Sequence, residues 1–167
     1  MKFYLLSFII LLGCIGCNNT QTIKIERKGE PPIYSVQNDD AEMNQAVLTA
    51  IQTLDTFKVA LLSKNKDFKY FALKTRFLTP KGSEHIWMRN IILKDKKYVG
   101  IVANLPDSIP DVKLGDTISI LKNNITDWMY IDNKKLRGGY TIRLLRKRMT
   151  EPEKKQFDAQ SEFVIDE

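Results

Sequence analysis

Residues 69–77 have the sequence Lys-Tyr-Phe-Ala-Leu-Lys-Thr-Arg-Phe, and the character of their side chains alternates with a period of two that indicates the fold class. From Phe71 onward, apolar side chains or threonine occupy every second position, and Lys74 and Arg76 lie between them. Successive side chains of a β-strand point to opposite faces, so this stretch predicts a strand with one core-facing and one charged face. A sheet that is solvated on one face is typical of antiparallel architecture.

Short strands joined by tight turns continue toward the C-terminus. Glycine, proline, asparagine and aspartate cluster between the apolar segments, and these residues favour turns. The alternation predicts five further strands, at Glu84–Leu93, Tyr98–Leu105, Thr117–Leu121, Thr126–Ile131 and Leu136–Leu145.

A long amphipathic helix is predicted ahead of the sheet, over Asp39–Lys64. Asp39 is a suitable N-cap, and Glu42 follows three residues later in the position of a capping box. Apolar side chains recur at helical spacing from Met43 to Leu61, which predicts one stripe facing the core.

A short helix is predicted to begin near Thr150. Glu153 again follows three residues later, and Pro152 is tolerated in the first turn. Together the elements predict an α+β fold: a twisted antiparallel sheet of five or six strands packed on one long N-terminal helix, with a short C-terminal helix. A partly closed small barrel is the alternative arrangement of the same strands.

The N-terminus has the layout of a bacterial lipoprotein signal. Lys2 precedes an apolar run from Phe3 to Leu12, which is too short for a transmembrane helix. Cys17 follows at a usual signal length and is succeeded by polar residues, whereas Cys14 follows residues closer to a lipidation motif. We predict lipidation at Cys17, with Cys14 as the alternative, and attachment to a membrane through two or more acyl chains such as palmitate.

This signal predicts the organisation of the chain and its location. We expect a signal peptide at residues 1–16, a lipidated tether at 17–38, one globular domain at 39–160 and a C-terminal tail at 161–167. The mature protein is expected in the bacterial cell envelope. Asn18, which follows Cys17, favours the outer membrane over the inner membrane.

Composition excludes several classes of site. Both cysteines lie in the signal region, so the domain has no disulfide and no thiol nucleophile. His85 is the only histidine, which argues against a zinc site, and we expect no metal and no cofactor.

Positive charge is concentrated late in a chain whose formal net charge is +6. Such a segment is either a basic face for anionic lipid or an anionic envelope polymer, or simply a solvated surface. An exported location argues against a nucleic-acid partner. The late cations are Lys134, Lys135, Arg137, Arg143, Arg146, Lys147 and Arg148.

Three clusters combine aromatic and polar residues in an order typical of one family. They lie at Glu84–Trp87, Ile125–Tyr130 and Gly138–Arg143. With the helix start near Asp39 and the Gly115-Asp116 pair, they make the chain resemble the YegJ-like family of bacterial proteins, known as domain of unknown function 2314. The resemblance runs from about Asp39 to Phe157 and implies a shared fold, but it implies no defined chemistry.

His85 and Asp127 are the candidate catalytic pair. A histidine can act as a general base near neutral pH, and Asp127 on a neighbouring strand could orient it. The hydroxyls available in the motifs belong to Thr141 and Ser83. In the alternative interpretation, a buried His85 donates to Asp127 as a structural tie between strands, and the tryptophans fill the core.

Two further features allow more than one interpretation. Gly138-Gly139 indicates either close approach of a ligand to the backbone or a sharp bend in the strand. Arg143 is a candidate partner for Glu84 or Asp127 across strands.

These observations favour a non-enzymatic binding or accessory module, held in the envelope by lipid and binding an envelope protein or an anionic polymer. A hydrolase that uses His85 with Asp127 is the first alternative, and a module that binds lipid or polysaccharide through its basic segment is the second. The candidate binding residues are Glu84, His85, Trp87, Asp127, Trp128, Tyr130, Tyr140 and Arg143.

Overall fold

The structure is a computed structural model that describes residues 22–27, 30–35, 40–80 and 82–166. The chain divides into two compact units, and the boundary lies between Asn38 and Asp39. The predicted signal peptide, with Cys14 and Cys17, lies outside the described residues. Within the described part, no helix has the length and apolar character needed to cross a membrane.

The first unit contains a hairpin where the sequence predicted only a tether. Strand β1 (Ile23–Arg27) pairs antiparallel with β2 (Glu30–Ser35), and Ile25 lies opposite Ile33. The prolines of this segment do not prevent pairing because two-stranded sheets consist of edge strands, where proline is tolerated.

The second unit is built on a six-stranded antiparallel sheet, which confirms the α+β prediction. The strand order is β6-β5-β4-β3-β7-β8, and the two outermost strands do not pair with each other, so the barrel alternative is wrong. The strands are β3 (Phe68–Thr79), β4 (Gly82–Lys94), β5 (Lys97–Val102), β6 (Thr117–Ile120), β7 (Ile125–Asp132) and β8 (Lys135–Gly138).

One face of this sheet packs on two helices rather than on one. Helix α1 (Ala41–Gln52) and helix α2 (Leu54–Leu62) follow each other closely, with Thr53 between them. The helix is interrupted at Thr53. The indole Nε1–H of Trp128 donates to the Ala50 carbonyl at 3.0 Å, and a side chain that inserts into the backbone hydrogen bonds of a helix accounts for the interruption. The inward side chains of α1, α2 and the sheet form the core, which includes Phe57, Leu73, Ile86, Met88 and Val102.

The start of α1 differs by one residue from the prediction. Asp40, not Asp39, is the N-cap, because its Oδ1 accepts a 2.9 Å hydrogen bond from the Met43 amide. Asp40 is buried, and its carboxylate is held by Arg148.

The C-terminal third contains the main error of the sequence prediction. The strand predicted at Leu136–Leu145 ends at Gly138, and helix α3 (Tyr140–Arg148) follows. Gly138 and Gly139 have φ values of +69° and +64°, a region that favours glycine and ends the strand. The last helix, α4 (Glu151–Gln160), begins as predicted, with Thr150 and Glu153 forming a capping box.

Candidate binding face

The face of the sheet opposite α1 and α2 carries a group of basic and aromatic side chains, which we call the outer face. Strand register places Trp87 opposite Lys74 and His85 opposite Arg76, and directly paired residues project from the same side. Arg89 follows at the next outward position of β4. The outer face is defined by Lys74, Arg76, His85, Trp87 and Arg89.

Lys74 is the most constrained cation of the outer face. Its Nζ donates to the hydroxyl of Thr141 at 3.2 Å and lies 5.6 Å from the centroid of the Trp87 ring. Burial lowers the pKa of Lys74, and the nearby Asp127 carboxylate opposes that shift. Lys74 therefore joins Trp87 to the start of α3.

His85 is half-buried beside these groups. Its Nδ1 shares a 2.9 Å hydrogen bond with the hydroxyl of Thr126, a buried residue of β7. Burial, followed by the positive charges of Lys74 and Arg76, lowers the pKa of His85 to about 4. The imidazole is therefore neutral at physiological pH.

Asp127 caps the N-terminus of α3, although it precedes that helix by more than ten residues in the sequence. Its Oδ2 accepts from the Thr141 hydroxyl at 2.7 Å and from the Thr141 amide at 2.9 Å. Its Oδ1 accepts from the amides of Trp128 at 2.8 Å and Tyr140 at 3.2 Å. Burial raises the pKa of Asp127, and the hydrogen bonds from Thr141 oppose that shift. These four bonds occupy the carboxylate within a site that has no exposed surface.

The two members of the predicted catalytic pair thus have different partners. Among the described residues, His85 bonds to Thr126 and Asp127 bonds to the α3 start, with no hydrogen bond joining the two side chains. Of the two hydroxyls, Thr141 is buried and already bonded, while Ser83 is exposed. The predicted structural tie from His85 to Asp127 is therefore wrong, and His85 is bonded instead to Thr126 of the same strand as Asp127.

Gly138 explains how the α3 start comes so close to β7. A Cβ at Gly138 would lie 2.3 Å from the Trp128 carbonyl oxygen and 2.4 Å from a ring carbon of Trp128. The backbone at Gly138 therefore packs closely against Trp128. Of the two interpretations of Gly138-Gly139, the sharp bend in the strand is the one that the structure has.

The predicted aromatic binding face is divided between the two sides of the sheet. Trp128 and Tyr130 are buried under the helices, and the Trp128 Nε1 also donates to Thr53 at 3.2 Å. The Tyr140 hydroxyl lies 3.1 Å from the same threonine oxygen. Of the predicted aromatic residues, Trp87 is the one that lies on the outer face.

Glu84 and Arg143 have structural partners. The Glu84 carboxylate accepts from the amides of Asp107 and Ser108, each at 2.8 Å, and so fixes the loop after β5. Arg143 donates to the carbonyls of Gly138 and Leu136, at 2.9 and 2.7 Å. The predicted pairing of Arg143 with Glu84 or Asp127 is therefore wrong.

Most of the late positive charge is neutralised inside the domain. Within the described part of the chain, five of the seven late cations form ion pairs. We call the group around the end of α3 the α3 charge cluster, in which Arg148 binds Asp40 and Glu42, Lys147 binds Glu42, and Arg146 binds Asp158.

The outer face keeps its charge unpaired. Among the described residues, Lys74, Arg76 and Arg89 form no ion pair. The outward positions of β3 from Ala72 and of β4 as far as Arg89 hold no aspartate or glutamate. No group of acidic, histidine or cysteine side chains in the described ranges could hold a metal ion.

The fold and this face define the class: an α+β domain with helices on one face of an open antiparallel sheet and a basic, aromatic surface on the other. The family model described as "Uncharacterized protein conserved in bacteria (DUF2314)" matches residues 40–164. The chain belongs to this family, which confirms the resemblance seen in its motifs.

Two curated proteins are similar to the chain. Uncharacterized protein YegJ of Escherichia coli (strain K12) is 32% identical over 104 residues, which cover 62% of this chain and 67% of that protein. Putative ankyrin repeat protein NMB1133/NMB1171 of Neisseria meningitidis is 27% identical over 139 residues, covering 78% of this chain and 55% of that protein. No solved structure matches the chain.

Proposed function

We propose that the protein is a lipid-anchored module of the bacterial cell envelope that binds a partner and performs no catalysis. The observation that carries the absence of catalysis is the bonding of Asp127, while the binding role rests on the exposed, unpaired cations of the outer face. Its carboxylate accepts three hydrogen bonds from Tyr140 and Thr141 at the α3 start and one from the Trp128 amide, so the carboxylate required by the hydrolase alternative is a structural cap.

The remaining groups of the hydrolase alternative are also poorly placed for catalysis. A pKa of about 4 makes His85 a weak proton acceptor near neutral pH, where a general base works best with a pKa near the ambient pH. Thr141 is buried, so substrate has no access to its hydroxyl.

A fluorophosphonate probe tests the absence of catalysis, because it reacts with activated serine and threonine hydroxyls. We expect no labelling of the full chain at neutral pH, and the same result for His85→Gln. Labelling at Ser83 or Thr141 that disappears in His85→Gln would contradict the proposal and restore the hydrolase.

The proposal of a lipid anchor rests on the sequence pattern at Cys14 and Cys17, and cell fractionation tests it. We expect the wild-type chain in the membrane fraction and the Cys14→Ser/Cys17→Ser double variant outside it. The two single variants identify the lipidated cysteine. Membrane retention of the double variant would refute lipid anchoring without bearing on the binding role.

A further inference from the structure

The outer face combines exposed positive charge with apolar surface. Arg76 and Arg89 are exposed and unpaired, and Trp87 lies half-buried between the positions they occupy. Leu78 occupies the next outward position of β3 and is 83% exposed. Leu78 therefore adds apolar surface at one end of the outer face, next to Arg76 and two outward positions away from the row of Trp87.

We propose that the outer face is a docking surface for an acidic protein, one that presents aspartate or glutamate side chains around an apolar side chain. The inference rests on the binding role proposed above and names its surface and partner. Charge complementarity carries the choice, because the face exposes Arg76 and Arg89 and has no carboxylate on the outward positions of β3 from Ala72 and of β4 as far as Arg89.

The composition of the face favours a protein over a lipid surface. Tryptophan and arginine are the side chains that most often dominate protein interfaces, and they act best near the centre of a desolvated patch. Lipid-binding basic segments are instead clusters of several lysines or arginines beside a membrane anchor. The late cations have that composition, but most of them are paired with carboxylates of the same domain.

A second copy of the chain does not fit the same face. A symmetric dimer through the outer face would place Arg76 and Arg89 near the same cations of the other copy. Like charges brought together at an interface oppose association.

The structure also places the face on a rigid support. Trp87 has its backbone amide bonded to the Asn104 side chain at 2.8 Å, and its ring lies under the Lys74 ammonium. Lys74 in turn donates to the Thr141 hydroxyl, which itself donates to Asp127 at the α3 start. The aromatic centre of the face is therefore preorganised, which reduces the entropy cost of binding.

Binding is tested with the full chain and a fluorescein-labelled peptide of glutamates interspersed with leucines. The matched control peptide carries glutamine in place of each glutamate. We expect saturable binding of the acidic peptide by fluorescence anisotropy, weaker binding at higher salt, and no binding of the glutamine peptide.

Charge reversal locates the surface. We expect Arg76→Glu/Arg89→Glu to weaken binding of the acidic peptide on the order of tenfold. The control double variant, Lys58→Glu/Lys155→Glu, changes net charge equally at exposed sites on α2 and α4 and is expected to change affinity less than about twofold. Urea unfolding of both variants shows that the comparison is made between folded proteins.

Three results would overturn the proposal: no binding of the acidic peptide, equal loss in both double variants, or binding through this face to phosphatidylglycerol vesicles but not to the peptide. A photocrosslinker placed at Leu78 in living cells separates this inference from the binding role. A captured segment rich in acidic residues supports both, and a captured segment without them refutes the acidic partner while leaving the binding role intact.

Discussion

The α3 charge cluster and the outer face are both rich in cations, but they hold them in opposite ways. Arg148 lies against the buried carboxylate of Asp40, and this pairing raises the pKa of Arg148 and lowers that of Asp40. Arg76 and Arg89 lie on an open sheet with no carboxylate partner among the described residues. The density of lysine and arginine along a sequence therefore does not locate available charge, because internal carboxylates decide which cations remain unpaired.

The largest expected effect concerns Asp127, which lies between the two regions. Asp127→Ala leaves the buried amides of Tyr140 and Thr141 without their acceptor, and we expect a loss of about 4 kcal/mol in the free energy of unfolding. Urea unfolding measures the change. Asp127→Asn keeps one carbonyl acceptor and should lose less; equal losses would show that the cap does not depend on acceptor geometry.

Breaking the α3 charge cluster is expected to have the next largest effect. Arg148→Ala leaves the Asp40 carboxylate buried without its main partner, so we expect about 3 kcal/mol of destabilisation. The same unfolding experiment measures it, with Arg146→Ala as a control whose partner, Asp158, is exposed. If the two variants lose the same stability, burial of Asp40 is not what makes the cluster important.

A third prediction concerns pH and the outer face. The pKa of His85 is lowered to about 4 from a usual 6.5, so the unfolded chain binds a proton more readily than the folded chain between these values. The lowered pKa of His85 therefore contributes about 2 kcal/mol to the free energy of unfolding at neutral pH, after allowance for partial exposure. This contribution is complete above pH 6.5 and is lost as the pH falls through 4.

The measurement compares wild type with His85→Gln across this pH range. The raised pKa of Asp127 acts in the opposite sense, stabilising the fold as pH falls, and the difference between the two proteins removes it. We expect the advantage of the wild type to disappear toward pH 4. NMR signals of the imidazole that titrate near pH 6.5 would contradict the burial of His85.

The smallest effect is expected for the free cations. Arg76→Ala and Arg89→Ala remove exposed side chains that have no ion pair among the described residues, so stability should change by less than about 0.5 kcal/mol. Urea unfolding at low salt is the sensitive measurement. A larger loss would show that these arginines serve the fold, which would remove the contrast with the α3 charge cluster.

The parts of the fold that follow from local pattern were predictable. The period of two in β3 indicates its buried face, and the capping box at Thr150 marks the start of α4. The segment after Gly139 was not predictable in this way, because alternating apolar residues there resemble a strand. Its helical state depends on the Asp127 carboxylate, a partner that no local pattern reveals.

The candidate site was predictable only in part for the same reason. His85 and Trp87 share an outward face, as strand alternation requires. The partners of each side chain depend on register and on a bulge in β7, which pairs Asp127 with Lys74 and Ile125 with Thr75. This bulge leaves Thr126 as the extra residue between those pairs, and Thr126 supplies the partner of His85. The alternation in β3 predicts Lys74 only as one of several charges on a solvated face, because its contact with Thr141 joins segments far apart in the sequence.

The two tryptophans have an optical consequence. The chain contains only Trp87 and Trp128, and the sheet separates them, one half-buried beside an ammonium group and one buried beneath the helices. Emission from Trp128 therefore reports the integrity of the core, while emission from Trp87 reports events at the outer face. A Trp87→Phe variant leaves a single tryptophan as the reporter of folding. Subtracting its tryptophan emission from that of the wild type isolates the outer signal, so the protein carries two intrinsic tryptophan reporters without any added label.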